Sequence, residues 1–215
     1  TENLKELRNQ QAEKSAAQGL GHWSSLHVVG QVGLTYLVCE SRDGMMFVDQ
    51  HAAHERVMFE KLMDGYRKNS LAIQRYLIPL AVELAEDQRE AVEKHLDDFL
   101  RLGVEIEILG PMTVGIVASP IGIKERAIHE VVRKTADELV DLGSSHAFEK
   151  NLGEIFSTMA CHSAIRAGQA LSLEEMKQLL KEMDEFPLSS FCPHGRPVSV
   201  SYPFSEVEKD FGRRV

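Results

Sequence analysis

The strand-like run Met45–Asp49 passes into a helical pattern with no intervening turn residue, and this junction limits the folds open to the chain. Before it, Leu26–Val29 and Val32–Cys39 are β-rich pieces around Gly30 and Gly33, and Ser41-Arg42-Asp43-Gly44 is an Asp-Gly turn, so the segment predicts a hairpin with a loop longer than two residues. After it, Val57, Met58, Lys61, Leu62 and Tyr66 alternate with charge to Lys68 in helical spacing. Pro79 ends what precedes it. Glu83–Leu102 reads as one amphipathic helix closed by Gly103, followed by strands over Val104–Ile108 and Met112–Ala118 with a Gly110-Pro111 turn between them. Helices are then expected over Ile123–Leu142, over Asn151–Ala170, and from the Ser172-x-x-Glu175 capping box to Glu185. A loop over Ser189–Arg196 and a strand over Val198–Tyr202 complete the pattern. The expected class is α/β of the α+β kind: a mixed sheet with flanking helices, and residues 80–145 as a smaller α/β insertion.

Composition narrows the function classes. With 43% hydrophobic and 27% charged residues over 215 positions, the chain can build a core of one large or two small domains. No apolar run reaches the roughly 18–20 residues of a membrane span. Net charge is −9, and residues 83–107 hold nine acids against three bases, a poor balance for salt-driven DNA binding by this chain alone. Any action on a polyanion needs a metal, a partner or another domain. Thr1–Gly21 is polar and mixed in charge, which predicts the tail of a linker rather than a secretory signal. Cys39, Cys161 and Cys192 are too few and too scattered for a disulfide framework and fit a reducing compartment.

Two segments carry candidate chemistry. In Asp49-Gln50-His51-Ala52-Ala53-His54-Glu55, an extended strand end projects Asp49 and His51 to one side, and a helix starting near His51 sets His51 and Glu55 one turn apart on one face. These donors suit Zn²⁺ or Mn²⁺, and the same residues also make an ordinary solvated helix start, where acids are favoured by the macrodipole. Glu60 lies about 140° around the helix from Glu55, outside a shared coordination shell. In Cys192-Pro193-His194-Gly195-Arg196-Pro197, two prolines and a glycine impose extended backbone, so Cys192 and His194 face one way. That pair reads as two metal ligands or as a rigid loop with a buried Cys. Cys161, mid-helix in Ala160-Cys161-His162, and Cys39, in an apolar strand, read as core residues on their own, and His54 reads as solvated or satisfied. Gln74-Arg75-Tyr76-Leu77-Ile78-Pro79 is an extended piece with a polar anchor and an apolar plug, suited to a partner's groove or to a plain linker strand.

Taken together these segments resemble the C-terminal domain of the MutL mismatch-repair family. Asp49-Gln50-His51-Ala52, Glu55 and Glu60 match the D-Q-H-A-x2-E-x4-E pattern of the family's endonucleases. Ala160-Cys161-His162 is similar to its A-C-R segment with His in place of Arg, Cys192–Pro197 to its C-P-H-G-R-P including Arg196, and Phe211-Gly212-Arg213 to its terminal F-x-R. The resemblance implies that Asp49, His51, Glu55, Cys161, Cys192 and His194 gather around one or two metal ions, with Asp49 and Glu55 catalytic. It implies Zn²⁺ in a structural or regulatory place and Mn²⁺ or Mg²⁺ as the catalytic ion. It implies a homodimer that nicks duplex DNA, with Gln74, Leu77 and Pro79 docking on the replicative sliding clamp. A mismatch-recognition protein would be met through the full-length protein, in a bacterial, cytoplasmic, nucleoid-associated setting without membrane contact. The domain plan it implies is a linker remnant at 1–21, a dimerisation and catalytic part at 22–79 with 146–215, and an external regulatory part at 80–145. The rival reading is a non-catalytic dimerisation and clamp-docking module with a structural zinc.

Overall fold

The computed structural model describes residues 22–142, 146–186 and 196–213. Among them the chain forms two compact units: one from the residues up to Val57 together with those from Ala164 onward, the other from Met58–Ser163. Each unit has its own antiparallel sheet. The α+β class holds, and every strand pairing is antiparallel rather than mixed.

In the first unit, β1 (His27–Val32), β2 (Tyr36–Glu40), β3 (Gly44–Asp49) and β7 (Ser199–Pro203) lie side by side in that order. The side-chain period of two sorts each strand into an inner and an outer face. Leu37, Cys39, Met46 and Val48 point inward with Val28 and are buried. They meet Met176, Leu179, Leu180 and Met183 of a helix α6 (Leu173–Asp184) and Ala52, Ala53 and Val57 from the start of a helix α1 (Gln50–Arg67). On the outer face the register aligns Val38, Phe47 and Val200 in one row and Met45 with Tyr202 in the next. Val200 and Tyr202 remain 45% and 48% exposed, and the Phe47 and Tyr202 rings meet edge to face at 5.8 Å. A side chain at Gly44 would collide with the Tyr202 carbonyl, so glycine is what lets β7 close on β3 there. The Asp184 carboxylate, at the end of α6, accepts the backbone N–H groups of Trp23 and Ser24 at 2.8 and 2.9 Å and so ties down the first described residues. A helix α7 (Phe204–Asp210) ends the unit.

In the second unit the order is β4 (Ile73–Glu83), β6 (Thr113–Pro120), β5 (Glu105–Gly110). Helices α2 (Glu86–Lys94), α3 (Leu96–Arg101), α4 (Glu125–Leu142) and α5 (His146–Ser163) belong to the same unit. Its core joins Val82, Val114 and Ile116 of the sheet to Val92, Phe99, Ile128, Val131, Val132, Phe156 and Met159 of the helices. Phe99 is wholly buried and meets Phe148 edge to face at 5.1 Å. The single helix expected over 83–102 is two. The strand keeps Glu83, Gln88 accepts the Ala85 N–H at 2.7 Å to start α2, and His95 leaves helical geometry at φ −121°, ψ 24°, with its Nδ1 2.9 Å from Asp98 Oδ2. The helix expected over 151–170 runs instead from His146 to Ser163. No helix among the described residues is long and apolar enough to cross a membrane.

Truncating Phe99 to Ala leaves a cavity that these neighbours close only in part, at an expected cost of about 3–5 kcal/mol, read as a lower midpoint of urea unfolding. The capping box of α6 gives a pH signature. Ser172 donates its N–H and its hydroxyl to the Glu175 carboxylate, at 2.8 and 2.7 Å, holding that carboxyl below its usual 4.5. A depressed carboxyl pKa stabilises the fold above the unfolded value, and this is lost as pH falls through the folded one. The gap in Tm between the parent chain and Glu175→Gln is therefore expected to be widest above pH 4.5 and to close below the lowered value.

Candidate metal centre

The sequence places Asp49 last in β3 and Gln50 first in α1, so one residue ends a strand and caps a helix. Asp49 Oδ1 accepts the N–H groups of His51 and Ala52 at 2.9 and 3.1 Å, satisfying two of the helix's orphan donors. What joins Asp49 to His51 is this cap, with the carboxylate held against the backbone of the His51 turn.

His51 is oriented from the other side. Its Nδ1 lies 2.7 Å from the Ile165 carbonyl, which can only accept, so Nδ1 carries the hydrogen and Nε2 of the neutral ring keeps its lone pair. That Nε2 stands 3.6 Å from Glu55 Oε2, one helical turn on. Glu55 is 3% exposed. A distance of 3.6 Å is too long for a hydrogen bond, yet close to the roughly 3.3 Å between two donors on one tetrahedral ion with bonds near 2.0–2.1 Å. An imidazole lone pair facing a buried carboxylate oxygen is a donor set for a divalent cation, and in this respect the residues fit a metal.

Other candidate residues fall in several places. Cys161 is partly exposed in the last turn of α5, in the second unit, four positions before Ile165 along the chain. Beside it, His162 Nδ1 pairs with Glu130 Oε2 at 2.7 Å. Cys192 and His194 lie outside the described residues. Glu60 is half-buried further along α1. Cys39 is core: burial pushes its thiol up to about 11. Arg196 and Arg213 are exposed, and Phe211 is 78% exposed after α7. On β4, residues between Arg75 and Leu80 leave the ladder with β6, and Leu77 and Ile78 stand out into solvent on that bulge. Gln74 and Pro79 are half-buried, with Gln74 Nε2 3.3 Å from the Ile123 carbonyl.

Three residues that matter to this site escape a reading of spacing. His54 is a satisfied histidine, with a partner that spacing does not reveal: its Nδ1 accepts the Ile165 N–H at 3.1 Å, so the two sides of one residue, Ile165, meet two imidazoles of α1. Gln50 is wholly buried. Its Nε2 faces the carbonyls of Leu34, Gln169 and Arg166 at 2.9, 3.0 and 3.2 Å, and its Oε1 accepts from Gln31 Nε2. Gln31 in turn donates to the Gln169 carbonyl at 2.9 Å and accepts the Leu171 N–H at 3.2 Å. The only sequence hint is that Gln50 adjoins Asp49 inside the informative segment.

Comparison with known proteins gives the setting. A family model, the MutL C-terminal dimerisation domain, matches residues 29–171. A DNA mismatch repair protein MutL of Paramagnetospirillum magneticum is 41% identical over 207 residues, covering 94% of this chain and 34% of the relative. MutL of Syntrophotalea carbinolica is 40% identical over 193 residues, 90% of this chain and 31% of the relative. The protein of the same name in Sphingopyxis alaskensis is 40% identical over 185 residues, 86% and 31%. The chain thus spans about a third of the length of these relatives. A family match over most of the chain, joined to the strand-capped helix with its paired His51 and Glu55, means that the chain belongs to the MutL C-terminal dimerisation domain family.

Proposed function

We propose that this chain is the dimerising, DNA-nicking part of a mismatch-repair protein, a metal-dependent endonuclease on duplex DNA. The observation that carries the reading is the His51 Nε2 lone pair set 3.6 Å from the buried Glu55 carboxylate. Cys161, Cys192 and His194 are the proposed further ligands, Zn²⁺ suiting the Cys and His share and Mn²⁺ or Mg²⁺ the oxygen share. When bound, a divalent metal supplies a Lewis acid for the scissile phosphodiester and lowers the pKa of water. The chain's own residues present the donors. His51 offers Nε2 because its Nδ1–H is held by Ile165, Glu55 offers a carboxylate kept from bulk water, and Asp49 is held by the cap through its Oδ1. The acidic balance fits a polyanion brought in by a metal and by other regions of a longer protein.

A second copy of the chain is the proposed partner of the outer face of the first sheet, where Phe47, Val200, Met45 and Tyr202 form adjoining apolar rows over the buried Val38. The β4 bulge, with Leu77 wholly exposed, is the proposed clamp-docking segment together with Gln74 and Pro79. Pro79 lacks an N–H and holds Ile78 extended, which keeps the segment out of the chain's own ladder. Residues 80–145 are the proposed external regulatory part.

Two measurements test the reading. The purified chain is expected to carry or take up a divalent metal by elemental analysis. His51→Ala should lower that affinity by more than about tenfold, since even groups that only support a ligand cost 10–100-fold, and Asp49→Asn should abolish Mn²⁺-dependent nicking of supercoiled plasmid by the full-length protein. Retained metal with no nicking by the full-length protein would favour the non-catalytic dimerisation and clamp-docking module instead. For the dimer, Val200→Asp puts a charge in the middle of the apolar row and is expected to shift sedimentation from twice the monomer mass to the monomer, as loss of an interface of about 1,200–2,000 Å² requires. An unchanged mass would place the partner surface elsewhere.

A further inference from the structure

We infer that Gln50, oriented by Gln31, is a positioning residue that fixes which nitrogen His51 presents as a ligand. The inference rests on the metal reading of His51 and Glu55 and extends it to a residue that touches neither the metal nor the substrate.

The argument starts from the hydrogen-bond capacity of a primary amide. Gln50 is wholly buried, and a carboxamide has two N–H donors and one carbonyl. Its Nε2 faces the carbonyl oxygens of Leu34, Arg166 and Gln169, so nitrogen must lie on that side, and its oxygen is left to Gln31 Nε2. Gln31 is set the same way round by the Leu171 N–H and the Gln169 carbonyl. The two side chains form a clasp in which each fixes the other's orientation, and together they grip the segment from Arg166 to Leu171. The grip is reinforced at Leu34, whose carbonyl also accepts the Gly168 N–H at 2.8 Å. Leu34 holds this carbonyl in place from a left-handed backbone at φ 49°, a conformation that costs a residue with a side chain and persists only where surroundings enforce it.

Ile165 is the residue immediately before the gripped segment. Its carbonyl takes the His51 Nδ1–H and its N–H goes to His54 Nδ1. Holding 166–171 therefore holds the acceptor that keeps the hydrogen on Nδ1 of His51 and the lone pair on Nε2, toward Glu55. Without the clasp, the loop would be free to withdraw the Ile165 carbonyl, and the ring would be free to turn or to move its hydrogen to Nε2, where it blocks the ligand atom. Outer partners that fix a ligating imidazole in this way account for 10–100-fold in metal affinity in other sites.

The test uses the metal-free, ¹⁵N-labelled chain and Zn²⁺ alone as the probe. Long-range ¹H–¹⁵N correlation of the histidine rings is expected to show His51 as the Nδ1–H form in the parent chain. In Gln50→Ala and Gln31→Ala the same spectrum should show a shift toward the Nε2–H form, with faster hydrogen exchange at the Ile165 N–H. Zn²⁺ affinity, measured against a chromogenic chelator, should fall about 10–100-fold in Gln50→Ala and in the same direction in Gln31→Ala. Gln31 is only partly buried, so Gln31→Ala decides the matter if Gln50→Ala does not fold. A folded variant with His51 still Nδ1–H and parent-like Zn²⁺ affinity would overturn the inference. A parent chain that binds no Zn²⁺ would remove the metal reading itself, and the ring spectrum would then support or overturn the clasp on its own.

Discussion

The backbone of Ile165 is the anchor on which the polar site of the first unit depends. Ile165 gives its carbonyl to one imidazole and its N–H to another, and both imidazoles sit in the first turns of α1. Those turns are themselves anchored by Asp49 from the strand side and by Gln50 from the loop side. A cap carboxylate, a buried amide and an imidazole from three consecutive residues are thereby held with the Ile165 carbonyl in one polar cluster beside an apolar core. Such a cluster is tolerable because its donors meet acceptors; a half-satisfied version would cost more than an apolar replacement.

The two faces of the first sheet divide labour in a way the strand period makes unavoidable. Burying Leu37, Cys39, Met46 and Val48 against α6 forces Val38, Phe47, Val200 and Tyr202 to the other side. Val200 and Tyr202 on that face stay 45% and 48% exposed, and adjoining exposed apolar side chains of this kind mark surfaces that meet a partner. The second unit solves its core differently, with edge-to-face aromatic pairs such as Phe99–Phe148 and Tyr66–Phe156 between elements distant in sequence.

Much of the architecture could be read from periodicity. The β2–β3 hairpin, the passage of β3 into α1, the β5–β6 pair and the capping box at Ser172 all have local signals, because turn chemistry, alternation and caps are short-range. What periodicity hides is where a regular pattern stops for a non-local reason. Ala91, Val92, Leu96, Phe99 and Leu100 keep helical spacing across His95, although the backbone breaks there. Ala164 and Ala167 keep helical composition beyond Ser163, although the chain turns away toward the Leu34 carbonyl. At the site, the His51–Glu55 pair was legible as an i, i+4 relation. Gln50 and His54 were not, since they meet the backbone of Ile165, Arg166 and Gln169 more than a hundred positions away, and a backbone group leaves no trace in sequence.

Asp49 has one further consequence, which concerns errors of assembly. Because it ends a strand and caps a helix, the pairing frame of β3 and the start of α1 are a single decision. A slip of one residue against β2 would turn Phe47 inward and Val48 outward, and would at the same time carry the carboxylate away from the His51 and Ala52 amides. A misaligned chain therefore loses its polar cluster together with its core. Correct pairing of the strands is thereby a precondition for assembling the His51–Glu55 pair: the site exists only once the strands are in frame.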